Sequence, residues 1–393
     1  MTDQQDSTVF CRYNGNKPAI FKLALKTSLL TMLTLGIYRF WAKTRIRKYI
    51  WSSASGDGDR FEYTGTGLEK FLGFLVAIVI LAIYLGLFQI LLFYFGLNLF
   101  IQPRTEQQAL AQIAALYATL LAVVPLVYFA QYRARRYKLS RTRWRGIRFG
   151  AEKAAWGYVW RSIIHSFLTF VTLGILLPRQ TFYLEKYVTD RTWYGDTKFE
   201  QNGRWTDLYS AMRHLFIGLA ILIVGISVFV VLQSANLAAV FGFVGYVWLL
   251  VGGVSYRVQS FKYLTQKKRL GEQIKFTATP ETANIVMTLF VGSLIVGIVG
   301  GIVLILVGAV FASNFSGAPG VGTSVVAIIT YLTLFALINA LSLSMIVQPV
   351  ISHVVNSITV HNTQALSVVR QRAGDTGADA EGFADALDIG GAI

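Results

Sequence analysis

Residues 215–256 and 282–369 contain no Lys, Arg, Asp or Glu at all. No water-soluble core requires uncharged stretches of that length, which excludes reading the 393 residues as two or three soluble domains. Cysteine is nearly absent: Cys11 stands alone, so no disulfide framework forms within the chain. Four scattered histidines offer no ligand spacing, and neither a metal nor another cofactor is expected. Acids are few, 20 against 36 Lys plus Arg, and the long apolar segments hold none. A carboxylate relay, the usual mark of a proton-coupled carrier, is therefore missing from them. So are GxSxG, HExxH and Walker-type loops, and the chain is not expected to be an enzyme.

What remains is apolar: 54% of residues are hydrophobic and 14% charged, a balance that places the chain in a bilayer. A helix needs about 20 apolar residues to cross about 30 Å of hydrocarbon. Segments 71–101, 109–132, 215–233, 237–256, 284–311 and 321–349 qualify. Two others fall short, with only 12 uncharged residues between Lys26 and Arg39 and 13 between His165 and Arg179. Short helices at 20–38 and 158–177 are thus expected to be interfacial or re-entrant, with full spanning as the alternative. Residues 1–8 are polar and acidic, and the first apolar stretch runs into a basic segment, so no cleaved signal peptide is expected.

A net charge of +16 suits a nucleic-acid binder, but the cations cluster beside apolar runs, which points to lipid and away from nucleic acid. Segments 39–70, 133–153, 178–207 and 257–283 carry 7, 9, 5 and 6 Lys plus Arg, whereas 102–108, 234–236 and 312–320 carry only Arg104. Lys and Arg accumulate on the cytoplasmic side of a membrane. With six spans all four basic loops stay inside; with eight, the basic loop at 257–283 is exported. Six spans with both termini cytoplasmic is the expectation.

Thr34-Leu35-Gly36-Ile37 recurs as Thr172-Leu173-Gly174-Ile175, and Phe61-Glu62 recurs as Phe199-Glu200, both offset by 138. A looser element occurs four times: a basic residue and Tyr, an interval containing Gly, then a basic residue and Phe. It runs from Lys48-Tyr49 to Arg60-Phe61, Arg136-Tyr137 to Arg148-Phe149, Lys186-Tyr187 to Lys198-Phe199, and Lys262-Tyr263 to Lys275-Phe276. The first copy reads as a β-hairpin, with Tyr49 and Trp51 on one strand, Phe61 and Tyr63 on the other, and Gly56-Asp57-Gly58-Asp59 turning between them. Thr66 with Glu69 forms a capping box ahead of the first span. The expected fold class is all-α and polytopic: six transmembrane helices in tandem repeats, two interfacial or re-entrant helices, and small cytoplasmic β-hairpins. The expected division is an N-terminal segment 1–18, repeats at 19–153 and 154–280, a final transmembrane pair 281–350, and a cytoplasmic tail 351–393.

Several residues have two readings. Asn339, Ser342, Ser344 and Gln348 either coordinate a solute, with Pro349 loosening the helix end, or hydrogen-bond between packed helices. The two short helices carry cations at helical spacing, Lys22 with Lys26 and Arg161 with His165, the second pair continued by Thr169 and Thr172; these either line a hydrophilic vestibule and grip anionic groups or snorkel at the membrane surface. Gly297 and Gly301, with the nearby Gly292, Gly300 and Gly308, mark a close helix contact, within the chain or in an oligomer. The run Arg133, Arg135, Arg136 and Lys138 begins at a span end, where anionic headgroups attract each cation by about 1 kcal/mol. With Arg39, Lys43, Arg45 and Arg47, these are the expected headgroup contacts. Five acids from Asp375 to Asp388 either swing back to this basic surface as a regulatory tail or stay solvated.

The stretch Leu29-Leu30-Thr31 through Thr34-Leu35-Gly36-Ile37-Tyr38, followed by Phe40-Trp41-Ala42-Lys43-Thr44-Arg45-Ile46-Arg47 and Phe61-Glu62-Tyr63-Thr64-Gly65-Thr66-Gly67, resembles the YjgN-like family. These are bacterial multi-pass inner-membrane proteins with a domain of unknown function. The tail Glu381-Gly382-Phe383-Ala384-Asp385-Ala386-Leu387-Asp388 is similar to that family's C-terminal signature. The resemblance implies an inner-membrane location and supplies no catalytic residues. After Ile175 the second copy departs from the first, with Leu176-Leu177-Pro178-Arg179 where Tyr38-Arg39-Phe40-Trp41 stands, so the halves need not act equally. Two functions follow as expectations. One is a transporter or channel-like protein for a small-molecule solute, with Arg161, His165, Asn339 and Gln348 in a cavity between the halves. The other is a non-transport organiser that binds anionic membrane lipids or a partner protein through its basic cytoplasmic cap.

Overall fold

A computed structural model describes residues 7–314 and 321–372. The connection at 315–320 and the tail from 373, with its acids and C-terminal signature, lie outside the described residues. One local plan recurs: a strand, two helices and a closing strand. The first instance is β1 (Val9–Tyr13), α1 (Lys17–Leu33), α2 (Arg39–Ser53) and β2 (Ala54–Gly56). The second is β3 (Asp59–Tyr63), α3 (Gly67–Tyr94), α4 (Glu106–Ser140) and β4 (Thr142–Trp144). The third is β5 (Ile147–Ala151), α5 (Ala155–Val171), α6 (Leu177–Thr189) and β6 (Thr192–Tyr194). The fourth is β7 (Thr197–Gln201), a 3₁₀ turn at Trp205–Met212, α7 (Arg213–Leu232), α8 (Ala235–Gln266) and β8 (Lys268–Leu270). The fifth is β9 (Ile274–Ala278), α9 (Thr282–Asn314), α10 (Val321–Ser342), a π-helical turn Leu343–Val347, α11 (Gln348–Asn356) and β10 (Ile358–His361).

A backbone tie marks each instance. The amide just after the opening strand donates to a carbonyl at the end of the returning helix: Asn14 to Ser53 at 2.8 Å, Thr64 to Arg141 at 2.8 Å, and Glu152 to Arg191, Asn202 to Lys267 and Thr279 to Ser357 at 3.0 Å each. Each helix pair is thus pinned where it meets the strands, and its far end is left to its surroundings. Local chemistry supports the elements. Thr66 and Thr105 cap α3 and α4 by accepting from the amides of Glu69 and Gln108 at 3.2 and 3.3 Å. The β2–β3 turn places Asp57 at φ 54° and Gly58 at φ 84°, the mirror-image turn that two-residue hairpins require.

The all-α expectation is wrong. The strand order β1-β10-β9-β8-β7-β6-β5-β4-β3-β2 closes into a ten-stranded barrel, so the fold combines apolar helices with a closed sheet. Strands of three to five residues are marginal as isolated hairpins, and closure leaves no unpaired edge. The pair that joins the chain's two ends, Val9 opposite Val360 and Phe10 opposite Thr359, has no local signal in sequence. Tyr49 and Trp51, expected on a strand, belong to α2. The buried positions Phe40, Thr44, Arg47 and Ile50 recur every three or four residues, and that period outweighs the two-residue alternation.

Among the described residues six helices are long and apolar enough to cross a membrane: Gly67–Tyr94, Glu106–Ser140, Trp205–Leu232, Ala235–Gln266, Thr282–Leu306 and Ile328–Asn356. Large apolar side chains such as Ile80, Leu87, Phe243 and Phe290 stand exposed along them, an arrangement suited to lipid rather than water. At 1.5 Å per residue the 35 residues of α4 reach about 52 Å, well beyond the hydrocarbon layer. The basic run at 133–138 is therefore the last turns of a helix and not a loop.

The chain divides into two compact units, Met1–Glu62 with Glu200–Val369, and Tyr63–Phe199 with Arg370–Ile393. Within the first, α7 and α8 meet through glycines spaced by seven. A Cβ at Gly225 would stand 3.0 Å from the Phe241 Cβ, and one at Gly245 would stand 2.7 Å from Leu222 Cδ2. Gly218 and Gly252 approach Leu249 and His214 in the same way. Of the glycines expected to mark a close contact, Gly292 makes one within the chain, lying against Ile346 and the Met345 carbonyl of the π-helical turn that precedes Pro349, and Gly300 approaches Ile338, whereas a Cβ at Gly297, Gly301 or Gly308 meets nothing within 4 Å. Within the second unit, Gln89 bonds Thr119 at 2.9 Å between α3 and α4, and Arg141 holds Glu69 through two 3.2 Å contacts.

Candidate functional site

The first and third instances of the plan differ from the rest: their helix pairs are short and end in a bare apolar tip. The tip is built by the repeated Thr-Leu-Gly-Ile. In α1–α2 the amides of Thr34, Leu35, Gly36 and Ile37 donate to Leu30, Met32, Thr31 and Thr34; in α5–α6 those of Thr172, Leu173, Gly174 and Ile175 donate to Leu168, Phe170, Thr169 and Thr172. The threonine hydroxyl then caps the returning chain, accepting from Tyr38 at 2.9 Å and from Leu176 at 3.2 Å. Leu35 and Leu173 both sit at φ 49°, followed by Gly36 at φ 92° and Gly174 at φ 90°. Only glycine tolerates the second of these positions cheaply, and a leucine in the first pays a steric cost of about 1–2 kcal/mol.

These leucines are 95% and 92% exposed. A strained backbone that serves only to hold a leucine out in water is doubly unfavourable. In hydrocarbon the same leucine gains about 1.5–3 kcal/mol, which offsets the strain. Leu33 and Ile37 flank the first tip, and Phe170, Val171 and Ile175 the second, all exposed. Along α5 the exposed stripe continues through Phe167, Ile164, Trp160 and Trp156, with the tryptophans farthest from the tip, where amphipathic rings settle at the headgroup level.

The other side of α5–α6 is polar and aromatic. Tyr128 and Ser166 share a 2.6 Å hydrogen bond between hydroxyls, and Gln180 donates to Ser166 at 2.9 Å. The His165 ring stacks on Tyr183 at 5.4 Å and 7°, and the Arg179 guanidinium lies 5.5 Å from the same Tyr183 ring. Arg161 and Arg191 cover Tyr187 at 4.6 and 3.8 Å. Gly157 opens the path for Tyr187, whose hydroxyl donates to Ala154 at 2.9 Å; a Cβ at Gly157 would collide with it. Burial, reinforced by Arg179 and Arg161, holds the His165 imidazole below its ordinary pKa.

The sequence-derived candidates scatter. Arg39 and Arg45 are exposed, lying over Phe40 and Tyr38, while Lys43, Arg133, Arg135 and Lys138 are half-buried. Arg47 and Arg136 are 4% and 3% exposed, and the Arg136 Nε donates to the Ala151 carbonyl at 3.1 Å. These two arginines face protein and not headgroups. Asn339 donates to Ser28 at 2.9 Å, tying α10 to α1, and Gln348 is 2% exposed just after the π-helical turn. Arg161 and His165 come together with Arg179, Tyr183 and Tyr187; Asn339 and Gln348 belong to a different part of the chain. Two concavities, about 430 Å³ beside Arg148, Trp193 and Arg372 and about 350 Å³ beside Arg213, His214 and Ser255, are lined by none of these four candidates. Tyr183 and Gly157 escaped sequence reading, and Tyr187 figures there only as part of the recurring basic-Tyr element. The i, i+4, i+8, i+12 row Arg179, Tyr183, Tyr187, Arg191 was the available signal.

Residues 8–298 match the family described as "Bacterial protein of unknown function (DUF898)". The chain is 26% identical over 168 residues to "Inner membrane protein YjgN" of Salmonella typhimurium, covering 42% of this chain and 37% of the relative. It is 25% identical over 162 residues to the Escherichia coli K12 protein of the same name, covering 41% and 36%. The match thus spans under two-fifths of the length of these relatives. No solved structure matches the chain at a significant level.

Proposed function

The chain belongs to the bacterial DUF898 family, and from that premise we propose that it is a non-enzymatic inner-membrane protein that organises lipid. Each short helix pair lodges its tip in the bilayer from the side that carries its basic residues, and exposed cations around it gather anionic headgroups. The exposed, strained leucines at positions 35 and 173 carry this reading, because hydrocarbon is the solvent that favours them. The name of the relatives and the six membrane-length helices support the location. The sequence's charge asymmetry supports cytoplasmic termini. Solute transport between duplicated halves has less support: Asn339 is engaged in helix packing, and Gln348 is enclosed.

Depth-dependent quenching tests the reading. In a Cys11→Ser background, Leu173→Cys is labelled with an environment-sensitive dye, and the full chain is reconstituted in vesicles containing lipids brominated at shallow or mid-chain positions. Mid-chain bromine is expected to quench most. Quenching chiefly by aqueous iodide would refute tip insertion. Self-quenching of labelled phosphatidylglycerol around the protein, weakened by Arg133→Gln with Arg135→Gln, reports the organising role; protein-dependent solute flux without lipid clustering would favour the transporter.

A further inference from the structure

We infer that the α5–α6 helix pair holds the phosphodiester of one anionic phospholipid between the guanidiniums of Arg161 and Arg179, beside the stacked His165 and Tyr183 rings. This deepens the lipid-organising reading and rests on it. The first ground is charge without compensation. Among the described residues neither Arg161 nor Arg179 has a carboxylate partner: Glu152 is taken up by Lys198 at 3.1 Å and Arg191 at 4.0 Å, and Glu185, on α6 itself, accepts from the Thr189 hydroxyl at 3.0 Å. His165 makes no hydrogen bond to protein among the described residues, although its ring is fixed by stacking. A lipid-facing helix that carries cations without counter-ions recruits an anion to them, and phosphate is the one the bilayer supplies.

The second ground is preorganisation. Arg161 Nη1 donates to the Gly157 carbonyl at 3.0 Å, and its guanidinium lies over Tyr187, so its orientation is set before a ligand arrives while the residue stays exposed. Arg179 starts near the tip, but its guanidinium reaches back toward Tyr183, four residues farther from the tip, which brings it to the level of His165. Helix rise puts His165 about 9 Å above the end of α5, so a tip seated in the acyl chains leaves this level near the headgroups. The exposed stripe of Ile164 and Phe167 next to it offers an apolar track for the acyl chains. Phosphate and acyl requirements are thus met by one helix pair.

The third ground is asymmetry. At the 138-residue offset, Leu23, Thr27, Trp41 and Arg45 stand where Arg161, His165, Arg179 and Tyr183 are found, so the first helix pair shares the tip but carries its cations at other positions, Lys22, Lys26, Arg39 and Arg45 among them. The shared Thr-Leu-Gly-Ile serves insertion, and the divergent positions serve recognition.

Native mass spectrometry of the detergent-purified full chain, titrated with phosphatidylglycerol and with phosphatidylcholine, tests the site. One phosphatidylglycerol is expected to bind more tightly than the rest. Its Kd is expected to rise about fivefold for Arg161→Gln or Arg179→Gln and roughly 25-fold for both, from the loss of one headgroup attraction per arginine. Arg269→Gln, at an exposed cation of β8, is expected to leave it unchanged. Unaltered phosphatidylglycerol affinity in the double variant overturns the site, as does displacement of the lipid by inorganic phosphate at millimolar concentration, which identifies a free-phosphate site. Equal weakening by Arg269→Gln also overturns it, since the effect is then diffuse charge. Tip quenching on the same variants separates the two levels: a deep tip with unaltered binding removes this site alone, whereas a tip in water removes the lipid-organising reading beneath it.

Discussion

Replacing Leu173 with Asn has opposite consequences in water and in lipid, which makes it a decisive perturbation. Leu173 occupies φ 49° with 92% of its surface exposed. Asparagine adopts this left-handed backbone more readily than leucine, so in water the change relieves strain by about 1 kcal/mol and removes an exposed apolar group. In the acyl region the balance reverses. The leucine's transfer energy of about 1.5–3 kcal/mol is lost, and an amide lacking partners adds about 1–3 kcal/mol. After crediting the relieved strain, insertion becomes about 2 kcal/mol or more less favourable, which shifts the ratio of inserted to withdrawn tip by about 30-fold. Amide hydrogen exchange across 168–178 in lipid nanodiscs reads that ratio. The wild-type tip should be protected, and the Asn variant should exchange about 30-fold faster at those amides while α7 and α8 are unaffected. Unchanged or slower exchange in the variant refutes the argument that lipid solvates the tip.

Gly245→Leu forces a side chain into Leu222 and should lower stability by about 1–3 kcal/mol, seen as a reduced Tm, while Gly297→Leu, where a Cβ meets nothing within 4 Å, should be nearly silent. Tyr13 is buried in β1, and burial pushes its phenol up to about 12. Above the ordinary tyrosine range the unfolded chain releases this proton before the native one does, so stability should fall between pH 10 and 12 by about 1.4 kcal/mol per pH unit; Tyr13→Phe should flatten that slope in alkaline melts. Burial also raises the Cys11 thiol, so maleimide should label it more slowly than free cysteine at pH 8, with the gap narrowing as pH climbs; equal rates at pH 8 contradict the buried setting.

Elements whose physics is local were legible in the sequence. Long uncharged runs announce membrane-length helices because hydrocarbon tolerates nothing else, and Thr66 with Glu69 announces a helix start because the cap is made within one turn. The closed barrel was not legible. Its strands have three to five residues, too few for alternation to rise above chance, and its closing pair joins Val9 to Val360 across the whole chain. Hairpin turns such as Asp57-Gly58 were visible, but pairing between hairpins depends on long-range register, which no local pattern encodes. The recurring basic-Tyr element was visible too, yet its meaning was hidden: each Tyr stands in the last turns of a helix, and the hydroxyls of Tyr49, Tyr187 and Tyr263 bond the backbone at Asn16, Ala154 and Arg204, just ahead of the partner helix.

The candidate site divides along the same line. A list of cations beside a span treats Arg136 and Arg133 as equals, since both follow the same apolar run. The helix separates them, turning Arg136 inward to the Ala151 carbonyl and leaving Arg133 half-buried over Phe129. Helical phase, not charge density, decides which arginine stays accessible. For Arg161 and Arg179 the separation in sequence concealed a shared neighbourhood, because it takes the Thr-Leu-Gly-Ile turn to fold α6 back on α5 and set Tyr183 and Tyr187 between them. The motif that resembled a functional signature is thus a hinge geometry. The chemistry lies in the residues it brings face to face, and these are the ones that differ between the two copies.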